Sequence, residues 1–254
     1  MEAASTPASA VRKRGYWWAT RKATYGFLAA LPLFVVYEAL IIFVNPSGPS
    51  QIRVGADLWI KQLLSLFGGH GLAALGIPVL LIGIWIFVQD RKDRPPLHAK
   101  WFAWMVAEST VYAVGVALVV SILVGALFAM APSGPAAQDS GQLPTSMMLV
   151  LSIGAGLYEE LVFRVILVGG MFWALDKVMK RSWMAYVSAA LIGALLFSAV
   201  HYIGSMGDVF TLASFTFRFL FGLALNGIFL ARGFGVAAWT HALYDVFVVT
   251  QILG

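Results

Sequence analysis

Apolar residues run almost unbroken through seven stretches of the chain, and polar residues gather in short connections between them. The stretches are 24–44, 72–89, 101–130, 145–175, 182–203, 209–231 and 236–253. Each falls near or above the ~20 residues that a helix needs to cross a bilayer. The pattern predicts an all-α, polytopic transmembrane helical bundle of about seven spans. One connection has helical periodicity of its own. In ADLWIKQLLSLFG, Asp57, Lys61 and Ser65 share one stripe, with Trp59, Ile60, Leu63, Leu64 and Phe67 opposite. That spacing predicts an interfacial helix lying on the outer surface.

Composition strengthens this picture. Apolar residues make up 60% of the 254 and charged residues 11%, and the mean hydropathy is +0.84; a soluble domain carries about 25% charged residues. No polar stretch is long enough for a separate soluble domain, so residues 24–254 read as a single transmembrane domain. Residues 1–23 form a basic tail whose Trp17, Trp18 and Tyr16 read as an interface anchor. The absence of cysteine removes disulfides, thiolate catalysis and thiolate-bound metal.

The net charge of +5 sits in short loops, so it encodes topology and implies no nucleic-acid partner. Along the chain, successive loops carry five, two, four, zero, three, zero, one and zero Lys or Arg. The alternate totals are thirteen and two. An N-terminus in the cytoplasm and a C-terminus outside follow, in a multi-pass protein expected in a bacterial cytoplasmic membrane.

Against this background some residues are out of place. Glu38, Glu108, Glu159, Glu160, Arg164, Arg218 and Asp245 fall inside the spans, with His201 and His241. An ionisable group at membrane depth costs at least ~2.5–3.5 kcal/mol on insertion scales, so such groups face the bundle interior or a water-filled cavity. In YEELVFR, Glu160 precedes Arg164 by four residues, the favourable order for a helix ion pair. Glu159 is left without a partner on its own helix, free to act as a base on water. In FSAVH, Phe197 and His201 share a face; in HALYD, His241 and Asp245 do. Two carboxylates and two imidazoles can therefore converge from three helices at 145–254, an inventory suited to hydrolysis. Glu38 or Glu108 is expected to pair with Arg218, and Phe197 to pack as a wall of the site.

EExxxR, FxxxH and HxxxD, in that order on three apolar segments, resemble the signature of the CAAX-protease and bacteriocin-processing (Abi) family. This family of intramembrane endopeptidases includes the type II CAAX prenyl endopeptidases. The likeness covers roughly the last 110 residues. It implies that Glu159 activates a water held with His201, and that His241 and residue 245 stabilise the oxyanion, supported by Glu160 and Arg164. Family members often carry Asn where this chain has Asp245. Asp donates to an oxyanion only as the neutral acid; otherwise it orients His241, and both roles stay open. The resemblance also implies catalysis without a cofactor, although Glu159, His201, His241 and Asp245 together could ligate a divalent metal.

The expected partners are the bilayer and a membrane-associated protein or peptide substrate: prenylated, a peptide precursor, or another membrane protein. Oligomeric state is not encoded in any pattern seen. Two rivals use the same residues. A proton-coupled transporter would exploit the buried carboxylates, but no inverted repeat is visible. A non-catalytic scaffold has no chemical need for Glu159.

Overall fold

The computed structural model describes residues 15–45, 52–66, 68, 71–128, 143–204 and 207–252. Among them are ten α-helices and no strand. The tail forms α1 (Tyr16–Thr20), followed by α2 (Ala23–Val44), α3 (Gly55–Ser65), α4 (Gly71–Gln89), a 3₁₀ turn (Asp90–Lys92) and α5 (Ala99–Leu127). Then come α6 (Thr145–Glu160), a π-helical segment (Leu161–Val168) and α7 (Gly169–Asp176) without a break, and α8 (Ser182–Val200), α9 (Leu212–Arg232) and α10 (Phe234–Val249). Residues 1–14 of the expected tail and Phe67 of the expected interfacial helix lie outside the described residues. Among the described residues, four helices, α2, α5, α8 and α9, are long and apolar enough to cross a membrane, and α10 is a shorter apolar helix. The chain is an integral membrane protein.

The centre of the bundle is α10, which packs against α2, α5, α6 and α9. Without a hydrophobic drive between helices in lipid, close approach depends on small residues. A Cβ on Gly156 of α6 would stand 2.5 Å from Ala242 Cβ on α10, and one on Gly235 would stand 3.0 Å from Gly26 Cα on α2. The backbones of α2, α6 and α10 nearly touch there. Outward, α4 and α5 expose Leu80, Leu81, Trp85, Leu118 and Ile122, as expected of a lipid-facing surface.

One end of the bundle collects the basic connections. Lys22 pairs with Asp93 at 2.8 Å, and Thr24 Oγ1 donates to Asp90 at 2.6 Å. At the same end Arg232 Nε meets Glu108 at 2.5 Å and Arg232 Nη2 donates to Thr20 Oγ1. Gly233 alone joins α9 to α10, at φ +83°. That left-handed conformation is one a residue with a Cβ rarely adopts.

The intramembrane charges pair differently from expectation. Arg218 bonds Asp208, Tyr202 and Ser214 rather than a glutamate. Glu108 goes to Arg232 and Tyr16, and Glu38 to Lys61, Arg53 and Tyr158. Helical spacing reports only partners on one helix, whereas these pairs, apart from Arg218 with Ser214 on α9, are made across elements.

The structure sets the orientation of the amphipathic helix α3. Asp57 is fully buried, bonded to Arg53, Lys61 and Tyr37, while Leu58, Trp59 and Leu63 are exposed. The stripe of charge packs toward Glu38 and the apolar side faces outward. Where the surroundings are lipid, an amphipathic pattern shows that two faces differ and leaves open which one meets protein.

Candidate active site

Glu159 and Glu160 end the regular part of α6, where the hydrogen bonding changes to the π pattern. Such interruptions are rare and occur frequently at functional sites. Glu160 is fully buried and touches two bases: Arg164 Nη1 at 3.0 Å and His241 Nδ1 at 2.8 Å. The expected pairing with Arg164 is present. The link to His241 was not legible, because it joins α6 to α10. Since a carboxylate only accepts, His241 donates through Nδ1 and turns Nε2 toward the site. The guanidinium of Arg164 lies 4.4 Å over the Phe197 ring, and Arg164 Nη2 reaches the Gly222 carbonyl at 3.5 Å.

His201 caps the end of α8. Its Nδ1 donates to the Phe197 carbonyl at 2.7 Å, so in the neutral ring Nε2 carries the lone pair. The structure brings His201, at the end of α8, and His241, on α10, to the same carboxylate. Glu159 Oε2 stands 3.9 Å from Nε2 of His201 and 3.9 Å from Nε2 of His241. Phe197 lies between the two imidazoles, 4.9 Å and 5.8 Å from their rings, and packs as a wall.

Glu159 Oε2 is buried and makes no hydrogen bond. At 3.9 Å both contacts are too long for direct bonds, a spacing at which a water can bridge. Asp245 Oδ2 is 3.5 Å from His241 Nε2, on the side of the ring away from Glu160. Glu160, Arg164 and His241 are almost completely enclosed, whereas the side chains of Glu159, His201 and Asp245 are 17%, 25% and 27% exposed. The site therefore has a dry floor of fixed charge and a half-open rim. Among the described residues, no three His, Asp or Glu stand in an arrangement that holds a metal ion.

A second network borders this one. Tyr158, next to Glu159 in sequence, donates to Glu38 at 2.6 Å. Glu38 also takes Lys61 of α3 at 3.0 Å, and Tyr37 donates to Asp57 at 3.0 Å. Tyr158 and Glu38 are 120 residues apart, so nothing in the local spacing of Tyr158 points to this partner.

A bundle with buried carboxylates and imidazoles converging from α6, α8 and α10 belongs to the class of helical membrane proteins with a polar intramembrane site. Residues 141–247 match the family model described as type II CAAX prenyl endopeptidase Rce1-like. This match supports membership of the CAAX-protease and bacteriocin-processing family, and the matched stretch contains all three motifs. No curated protein and no solved structure matches the chain.

Proposed function

We propose that the protein is an intramembrane endopeptidase that hydrolyses a peptide bond in a membrane-associated substrate, whether prenylated or a peptide precursor. The observation that carries this reading is Glu159 Oε2, buried, unbonded and 3.9 Å from both Nε2 atoms. A water there donates one hydrogen to Glu159 and the other to the His201 lone pair, leaving its own lone pair for attack. As the water oxygen bonds the carbonyl carbon, its proton passes to Glu159 and the carbonyl electrons move to oxygen. His241, fixed by Glu160 and protonated on both ring nitrogens, donates through Nε2 to that oxyanion, and Asp245 donates to it as the neutral acid. Collapse breaks the C–N bond, and the leaving amine takes the proton from Glu159. No metal takes part in this scheme. The bundle has about seven spans, with the basic end and N-terminus cytoplasmic and the C-terminus outside.

The test compares membrane peptides from cells carrying the wild type and Glu159→Gln. A substrate trimmed only by the wild type supports the reading and identifies the target. Identical peptide profiles in a cell that expresses both forms well would remove it.

A further inference from the structure

Outside the candidate active site, the basic end contains a cavity of about 510 Å³ lined by Trp17, Trp18, Arg21, Lys22, Ala231 and Arg232. That size is within the range of small-ligand sites. Lys22 lies 4.9 Å over the Trp18 ring and Arg232 4.1 Å over Trp17. Lys22 is countered by Asp93 and Arg232 by Glu108. Arg21 is exposed and adds a third cation to these two neutralised ones. The lining is thus cationic, with indole walls.

A separate feature sets its level in the bilayer. Trp17, Trp104, Trp173 and Trp183 are each at least half exposed, and all four lie near helix ends at this basic side. Lys100 lies over Trp104 and Lys177 over Trp173. Indoles capped by lysines mark a membrane–water interface. The cavity is therefore at the height of lipid headgroups.

The geometry points to this cavity as a binding site for the phosphoester headgroup of an anionic phospholipid, with Arg21, Lys22 and Arg232 as the cationic groups. Anionic lipid attracts basic groups near the surface by about 1 kcal/mol each, so one cation is worth about fivefold in affinity. A bound headgroup would bridge the tail to the end of α9, beside the Gly233 link that leads into the α10 helix of His241. Gly233 already packs there: a Cβ on it would lie 3.4 Å from the Arg21 carbonyl.

The experiment uses the full chain in phosphatidylcholine vesicles, titrated with brominated phosphatidylglycerol that quenches nearby tryptophan. The wild type is expected to prefer phosphatidylglycerol, and Arg21→Gln to weaken that preference about fivefold. Arg21 is exposed, so this change tests binding rather than folding. Lys180→Gln, a basic position at the same end outside the cavity, is expected to leave the preference unchanged. Equal losses in the two variants, or no preference in the wild type, would overturn the site. Displacement of the lipid by inorganic phosphate alone would assign the cavity to a soluble phosphate and overturn the lipid.

Discussion

Glu160→Gln removes one negative charge from a position without exposed surface, between Arg164 and His241. Two separable losses follow. Arg164, itself 1% exposed, keeps a full charge opposite an amide, and stranding one member of a buried pair costs ~3–5 kcal/mol. At the sensitivity usual for a chain of this size, that lowers the unfolding midpoint on the order of 10 °C. His241 also loses the carboxylate that holds its Nδ1 proton. Making the equivalent carboxylate of a serine-protease triad an amide costs about 10⁴ in kcat. The companion variant Glu160→Gln/Arg164→Met removes both charges, and replacing a buried pair by apolar groups is often neutral or stabilising. It should regain most of the lost stability and none of the lost activity. The assay is thermal unfolding in detergent beside hydrolysis of a membrane-peptide substrate. Recovery of activity in the double variant would refute the orienting role of Glu160, and an undiminished midpoint in the single variant would refute the stranded-charge argument.

Glu159→Gln should abolish hydrolysis with an unfolding midpoint near wild type, because Glu159 Oε2 bonds nothing in the resting structure. Asp245→Asn should keep substantial activity, since Glu160 already orients His241 and an amide supplies a donor without needing a proton; a folded but inactive Asn variant would transfer the orienting role to Asp245. Activity should survive exhaustive treatment with EDTA and phenanthroline; loss on chelation restored by zinc would make His201, His241 and a carboxylate ligands. Gly156→Val should destabilise by at least the ~1–3 kcal/mol of ordinary overpacking, measured as an unfolding shift, because even its Cβ would stand 2.5 Å from Ala242.

What the sequence revealed depends on the range of the interaction. Apolar length located the helices to within a few residues: stretches 24–44, 72–89 and 209–231 correspond to α2, α4 and α9. Three short motifs named the residues that meet around Glu159, because each contributes two groups at helical spacing and ionisable groups at membrane depth turn inward. Partners across helices were hidden. Arg218 sought a glutamate and found Asp208, while Glu38 was taken by Lys61 and Tyr158. Such choices depend on how helices cross, and no periodicity along one strand of chain records it. The inward polar face of α3 was hidden for another reason, since hydropathy does not distinguish lipid from a protein core.

The π segment after Glu160 carries a consequence for how this chain can vary. Its amides reach one residue further back than in an α-helix, so the segment holds more chain per turn than its neighbours. It acts as slack in an otherwise continuous rod. Everything before it, including Glu159 and Glu160 against α10, is phased by α6. Everything after it, including Met171 against Gly193 of α8, is phased separately. A single-residue deletion between Arg164 and Val168 can be absorbed by converting π to α, where the same deletion in α6 would rotate the glutamates off His241. Sequences with this site are therefore free to drift in length on one side of the glutamate pair and not on the other.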